Sequence, residues 1–277
     1  MTDSLESVHM HIQSDFISVD PVSPPAAYIG GKRQLSRRIC DEISKVKHSI
    51  YAEPFVGMGG VFFRRTSVPR AEFINDRSGD VVNLFRILQR HYPQLMDTLR
   101  FQITSRRDFD RLKASDPTTL TDLERAARFL YLQRLTFGGK VAGRSFGVDR
   151  SRSSRFNLTT LAPLLQDVHE RLASVVIENL DWLSFIDRYD RPETLFYLDP
   201  PYWGTEDYYG KELFSRDQYK VMAERLGHIK GRFILSINDV LEIRSIFSGF
   251  RIESVSLTYT AAGGAGKDAK EVLISNQ

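Results

Sequence analysis

Between residues 49 and 90 the hydrophobic pattern changes period. "SIYAEPF" (Ser49 to Phe55) is a short apolar, β-leaning run, closed by the glycine turn "VGMGG" and followed by "VFFRR". "AEFIND" (Ala71 to Asp76) reads as a second strand, and "SGDVVNLFRILQRH" then sets Val81, Val82, Leu84, Phe85 and Leu88 at helical spacing. Strands resume at "SVVIENL" (Ser174 to Leu180), "TLFYL" (Thr194 to Leu198), "RFILSI" (Arg232 to Ile237), "RIESVSL" (Arg251 to Leu257) and "EVLIS" (Glu271 to Ser275), with helical segments such as "SRDQYKVMAERLGHI" between most of them. Strand and helix in alternation predict an α/β fold with a doubly wound, mainly parallel sheet covered on both faces. Residues 92 to 165 break the alternation with helices, among them "LTDLERAARFLYLQRL" with Thr121 as N-cap, and end in a basic, glycine-rich stretch. The division this predicts is a tail over 1–24, finishing in "DPVSPP", a sheet domain over 25–82 and 166–277, and a mostly helical insertion over 83–165.

Composition narrows the class. With 42% hydrophobic and 26% charged residues, the chain is neither disordered nor fibrous. It has no apolar run of about 18 residues and no charged n-region leading into an apolar one, which argues against a membrane span or secretory signal and for the cytoplasm. The single cysteine, Cys40, cannot form an internal disulfide, and its helical surroundings "LSRRICDEI" read as core. Charge is uneven: residues 125 to 155 hold eight basic side chains against Asp149 alone, a net +7, so the rest of the chain sums to −4. A cationic segment with Phe137, Phe146 and four glycines on a slightly acidic body is the footprint of a polyanion partner, nucleic acid first.

Ligands of such sheets bind beyond the carboxyl ends of the strands. Four acids stand there: Glu53, Asp76, Asp181 and Asp199, the last in "FYLDPPYWG". Any one alone reads as a helix cap, and the two prolines alone as a strand terminator. Four together point to a ligand. Gly57 and Gly59 let the backbone turn tightly against it, and Asp76, 19 residues past Gly57, suits ribose hydroxyls. The third glycine of a dinucleotide fingerprint is replaced by Phe62, and the acids would repel a pyrophosphate. S-adenosylmethionine, cationic and phosphate-free, fits better.

The ordered set "YIGGK" (Tyr28 to Lys32), "EPFVGMGG" (Glu53 to Gly60), "IND" (Ile74 to Asp76), "RFLYLQR" (Arg128 to Arg134), "NLDW" (Asn179 to Trp182), "DPPYWG" (Asp199 to Gly204) and "KEVLISN" (Lys270 to Asn276) resembles the Dam-like DNA adenine-N6 methyltransferases. The resemblance runs from about Tyr28 to the C-terminus. It implies a Rossmann-like methyltransferase sheet with the insertion as target-recognition domain. Cofactor contacts are implied from Tyr28, Lys32, Phe55, Gly57, Gly59, Asp76, Asp181 and Asp199, and a catalytic motif of Asp199, Pro200, Pro201 and Tyr202. S-adenosylmethionine would leave as S-adenosylhomocysteine, with no metal. Double-stranded DNA is the implied partner, with a cognate restriction enzyme as a possible second one, in a bacterial or phage-encoded setting.

The chemistry agrees with the residue types. The Asp199 carboxylate and the Pro200 carbonyl can each accept an N–H from an exocyclic amine, turning its lone pair toward a sulfonium methyl for direct in-line transfer. Tyr202 would stack on the flipped base. The absence of a catalytic cysteine argues against carbon methylation of cytosine. Cytosine N4, an RNA adenine, and an inactive DNA-binding module on the same fold are the alternatives. For target reading, "LQRLTFGGKVAGRSFG" departs from the Asn-Arg pair and tyrosines of the family, so the sequence leaves the site, GATC or another, open. Gln133 is expected to read adenine and Arg134 or Arg144 guanine, with Lys140, Arg150, Arg152 and Arg155 on or near phosphates.

Overall fold

The computed structural model describes residues 16–147, 151, 153–205, 214–259 and 267–276. In chain order these form β1 (Ile17–Ser18), α1 (Ser36–Lys45), β2 (Ile50–Glu53), β3 (Ser67–Val68), β4 (Ala71–Asn75), α2 (Gly79–Arg90), α3 (Tyr92–Leu99), α4 (Arg106–Ala114) and α5 (Asp122–Leu135). Then follow α6 (Leu158–Leu172), β5 (Val176–Glu178), α7 (Trp182–Tyr189), β6 (Thr194–Leu198), α8 (Asp217–Leu226), β7 (Arg232–Asn238), α9 (Leu241–Ile246), β8 (Arg251–Tyr259) and β9 (Lys267–Ser275). The main sheet runs β5-β4-β2-β6-β7-β9-β8. Its first five strands are parallel, and β9 lies antiparallel between β7 and β8. The chain builds outward from β2 through β4 to β5, then returns to lay β6 on the other side of β2. The crevice beyond β2 and β6 is therefore the topological switch point, where open α/β sheets bind ligands.

Period-two alternation divides the core. Tyr51, Leu195, Tyr197, Ile234 and Leu273 face α1 to α6, whereas their strand neighbours Ala52, Phe196, Leu198, Phe233, Leu235, Val272 and Ile274 face α7 to α9. Both faces are dry, which is why these strands read as unbroken apolar runs. The buried side chains of α3 to α6, such as Leu95, Phe109, Phe129 and Leu165, belong to the same cluster as those of α1 and α2. The helices between β4 and β5 thus share the core of the sheet, and the sequence boundaries at 82/83 and 165/166 fall inside α2 and α6. Thr121 caps α5 as its sequence suggests, in a capping box with Glu124.

The tail expected over 1–24 is attached from Phe16 onward. β1 pairs antiparallel with β3, and Val19 N and Val22 N donate to Thr66 O and Phe63 O. The periodicity missed it because two-residue strands have none to show. Residues 1–15 lie outside the described part.

Away from the switch point, Glu72 on β4 accepts from Arg65 at 2.7 Å and, through both oxygens, from Arg171 of α6 at 2.6 and 2.8 Å. All three side chains are buried. The guanidiniums lie over the Tyr51 and Phe62 rings, 3.7 and 4.2 Å from their centroids. This triad fastens α6 to the sheet.

Candidate active site

The switch point brings Glu53, the last residue of β2, beside Asp199, the first after β6. Tyr51 Oη donates to Glu53 Oε2 at 2.7 Å. Burial, then the nearby Asp199 charge, push the Glu53 carboxyl well above the usual carboxylate range. Asp199 is also pushed up, to about 6, by burial; Lys32 opposes that push and Glu271 adds to it. Lys32 comes from the loop before α1, with its side chain only 2% exposed and Nζ 2.6 Å from Asp199 Oδ1. It donates to Tyr202 Oη at 2.7 Å, and Tyr202 Oη in turn donates to Glu271 Oε1 at 2.6 Å. Glu271 Oε2 lies 3.8 Å from Lys32 Nζ.

The turn after β6 is also held at Pro201 and Trp203. Pro201 O accepts from Tyr219 Oη at 2.7 Å, and the Trp203 backbone exchanges two hydrogen bonds with the Asn238 side chain, at 2.9 and 3.1 Å. Asn238 ends β7 directly opposite Glu271 of β9. The prolines stop the strand, and the side chains of β7, β9 and the loop before α1 decide where the turn then points.

A cavity of about 410 Å³ opens on this side of the sheet, within the range of small-molecule sites. Of the residues predicted for the cofactor, Tyr28, Lys32, Phe55, Gly57, Asp76 and Asp199 line it. Gly57 has φ +51°, and a Cβ there would stand 3.0 Å from the Tyr28 ring, so the turn and Tyr28 approach as only glycine allows. Asp76 accepts from Gly57 N at 2.9 Å and Ser78 N at 2.8 Å, and burial raises its carboxyl to about 6.

Two predicted cofactor residues fall elsewhere. Gly59 is not in the lining; its φ of +73° and the Phe63 ring packed on its Cα make it a packing glycine. Asp181 is exposed and caps α7, accepting from Ser184 N at 2.9 Å and Ser184 Oγ at 2.7 Å, outside the lining. A strand-end acid followed by a helix can cap it when its side chain turns onto the chain, as that of Asp181 does.

Among the predicted target-reading residues, Gln133 is the one that the structure places away from any DNA surface. Gln133 is fully enclosed: Nε2 donates to Ala27 O at 2.8 Å and Gly139 O at 2.7 Å, and Oε1 accepts from Arg144 Nη2 at 3.2 Å. Its amide is spent inside the protein and is not presented to a base. It pins the segment before Tyr28 to the glycine turn that opens the basic stretch. Arg134 is half-buried, donating to Arg155 O and Pro25 O, and borders the cavity. Arg144 is half-buried over the Phe129 ring, and Lys140 is exposed. Arg150 and Arg152 lie outside the described residues.

Glu271 and Asn238 were not among the predicted site residues. Glu271 stands inside "KEVLISN", but its contact with Tyr202 spans 69 positions, beyond any local pattern. Burial pushes the Cys40 thiol up to about 11, and the half-buried side chain packs against the core from outside it. Among the described residues no three His, Cys, Asp or Glu side chains group as a metal site, and no helix is long and apolar enough to cross a membrane.

Comparison with known proteins gives matches along most of the chain. The family model of the D12 class N6 adenine-specific DNA methyltransferases matches residues 28–261. A type II methyltransferase of Lactococcus lactis subsp. cremoris, M1.LlaDCHI, is 25% identical over 91% of this chain and 95% of its own length. M.CviBI, a type II methyltransferase of Paramecium bursaria Chlorella virus NC1A, is 21% identical over 83% of this chain and 88% of its own. The DNA N-6-adenine-methyltransferase of Escherichia phage P1 is 27% identical over 82% of this chain, matching 31% of its own length.

Proposed function

The chain belongs to the D12 class N6 adenine-specific DNA methyltransferase family, and we propose that it holds the amine of a flipped adenine between the Asp199 carboxylate and the Pro200 carbonyl. As a member it transfers a methyl group to the N6 amine of adenine in DNA, with S-adenosylmethionine as the methyl donor implied by the family. That donor supplies an electrophilic methyl on a sulfonium. The cavity suits it in volume, in its carboxylates at strand ends, and in the close approach of Gly57 to Tyr28. Tyr28, Lys32, Phe55, Gly57 and Asp76 would hold it.

One observation carries the reading: Asp199 and Pro200 stand at the switch point with Lys32 Nζ 2.6 Å from the carboxylate. No donor among the described residues reaches the Pro200 carbonyl. Lys32 fixes the carboxylate and favours its charged form, the form that accepts an N–H. Pro200 cannot rotate about φ, so its carbonyl keeps one direction. Two acceptors on one amine bend its hydrogens to one side and its lone pair to the other, which is catalysis by orientation. The proton that the methylated amine sheds passes to Asp199, whose affinity for it burial has already raised. Tyr202 stacks on the base while its hydroxyl stays tied to Lys32 and Glu271.

The substrate is double-stranded DNA, read by Lys140 and Arg144 together with Arg134, Arg150 and Arg152, and the compartment is the cytoplasm. The type II names of two relatives support a cognate restriction enzyme as partner. Incubation with tritiated S-adenosylmethionine should label N6-methyladenine in duplex DNA, and Asp199→Ala should abolish labelling with the fold intact. Labelling of cytosine, of RNA alone, or by the Asp199→Ala variant at the parent rate overturns the assignment.

A further inference from the structure

Glu271 is a buried acid to which the transfer chemistry gives no direct task. It stands on β9 with 1% of its surface exposed, directly opposite Asn238 of β7 and Val255 of β8. Strand alternation puts it on the face of Leu273, toward α1 and the loop that carries Lys32. There it meets Tyr202 Oη at 2.6 Å and comes within 3.8 Å of Lys32 Nζ. Asn238 and Glu271 so hold consecutive residues of the turn after β6, the first by the Trp203 backbone and the second by the Tyr202 hydroxyl. A second acid buried around one ammonium is a poor device for stability, since a neutral side chain of the same shape usually serves as well, and its presence points to the site.

The donors of Lys32 show what Glu271 does there. The three N–H groups of an ammonium are spent here on Asp199 Oδ1 at 2.6 Å, on Tyr202 Oη at 2.7 Å and, more weakly, on Gly30 O at 3.4 Å. Because the Tyr202 hydroxyl gives its one hydrogen to Glu271, its lone pairs are turned toward Lys32. Glu271 therefore fixes the phenol, and through it the ammonium that lies on Asp199. It also leaves the network one acid in excess, a single cation serving two carboxylates. In the transfer the lone pair of the amine makes the new N–C bond and the electrons of the broken C–S bond stay on sulfur, so the amine is cationic until one N–H proton passes to Asp199. A network of net negative charge stabilises that charge as it develops.

We propose that Glu271 is a positioning residue for methyl transfer: it anchors Tyr202 by the hydroxyl and, by sharing Lys32 with Asp199, leaves the Asp199 carboxylate free enough of its cation to take the N–H and then the proton of the amine. This rests on the reading of Asp199 and Pro200 as the acceptors of that amine. The titratable groups around Asp199 and Lys32 are Glu53 at the end of β2, Tyr197 on β6, Tyr202 in the turn and Glu271 on β9. Burial raises Asp199 to about 6, Lys32 opposes the rise and Glu271 adds to it, so removing the Glu271 charge lets Asp199 ionise at lower pH.

Two variants of the full chain separate the charge from the anchor. Glu271→Gln keeps the shape and an acceptor for the Tyr202 hydroxyl, whereas Glu271→Leu removes both. Glu271→Gln should lower kcat about tenfold with KM for DNA unchanged, and the acid limb of its single-turnover rate should move to lower pH. Glu271→Leu should lose more. Glu271→Gln combined with Tyr202→Phe should cost less than the product of the two single losses, because both act on one link. Without DNA or methyl donor, carbon-13 NMR of aspartate-labelled chain should show the Asp199 carboxyl, assigned by its loss in Asp199→Asn, titrating at lower pH in Glu271→Gln than in the parent. An unmoved Asp199 titration overturns the proposal. So does a parent kcat per folded molecule in Glu271→Gln, which would leave the acid a structural role, and so does a rise in KM for DNA with kcat kept. Fully multiplicative losses in the double variant overturn it too. If the parent chain labels no adenine in DNA, the methyl-transfer reading itself fails, while the Asp199 titration still reads the sharing of Lys32.

Discussion

Two of the buried ion networks among the described residues are built to opposite rules. In the Arg65–Glu72–Arg171 triad both carboxylate oxygens are engaged by guanidiniums whose faces are covered by aromatic rings. No side of it faces the cavity. In the Lys32–Asp199–Tyr202–Glu271 network a single ammonium serves two carboxylates and a phenol, and Lys32 and Asp199 border the cavity. The first is closed and joins a helix to the sheet. The second carries an excess of acid and is left open on the ligand's side. Each cluster is unbalanced, the triad by one cation and the Lys32 network by one acid. The triad's excess is enclosed against aromatic rings whereas the other's borders the cavity, so a buried cluster signals function here by where it is left uncompensated.

The comparison breaks most visibly if the networks respond alike to losing an acid. Asp199→Asn should lower kcat by about a thousandfold or more, on the order of 4 kcal/mol in the barrier, with the melting temperature at pH 7.5 unchanged or raised. Glu72→Gln should do the reverse, costing about 3–5 kcal/mol of stability because it leaves two buried guanidiniums facing each other, while the folded fraction keeps the parent kcat. Chemical denaturation beside single-turnover labelling reads both. If Glu72→Gln lowers single-turnover rates in proportion to Asp199→Asn, the distinction is lost.

A finer test removes one hydroxyl. Tyr202→Phe keeps the stacking face but unlinks Lys32 from Glu271, and should lower kcat about tenfold, roughly 1.4 kcal/mol, with KM for DNA unchanged. A rise in KM with kcat preserved would mean that the hydroxyl serves binding instead.

The smallest effect is a matter of pH. Asp76 and Asp199 are raised to about 6 from a usual value of 3.8. Between those values the folded chain binds more protons than the unfolded one, so the two groups make stability fall as pH rises from about 4 to about 6 and then level off. Activity runs the other way, rising through about 6 as Asp199 ionises. Melting curves and single-turnover rates over the same pH series should therefore slope in opposite directions, and Asp76→Asn should flatten only the first.

What the sequence made legible follows the range of each interaction. β6 was read to the residue because four apolar positions stand between a threonine and the Asp-Pro stop, and Thr121 because its partner Glu124 lies three positions on. Glu53 and Asp199 were visible as strand-end acids, since strand ends are local facts. Their side-by-side placement was not, because it depends on β6 returning to pair with β2. The placements of Asp181 and Gln133 were not legible for a shared reason. Each has the polar group its expected role needs, and each spends it on the chain: Asp181 on the next turn, Gln133 on carbonyls that one-dimensional spacing cannot bring near. The placement of Gly57 against Tyr28 and of Lys32 on Asp199 likewise appears only when the loop before α1 is folded over the sheet.

The antiparallel placement of β9 has a consequence for the order in which the protein can be made. β8 is synthesised first but pairs only with β9, which must enter between β8 and the already formed edge at β7. A nascent chain thus carries two unsatisfied strand edges until β9 emerges, a state open to mispairing with other chains. The residue that closes the Lys32 network, Glu271, arrives on that same strand. Completion of the sheet and assembly of the site are then one event, so a partly synthesised chain has the parts of the pocket without the network that aims it.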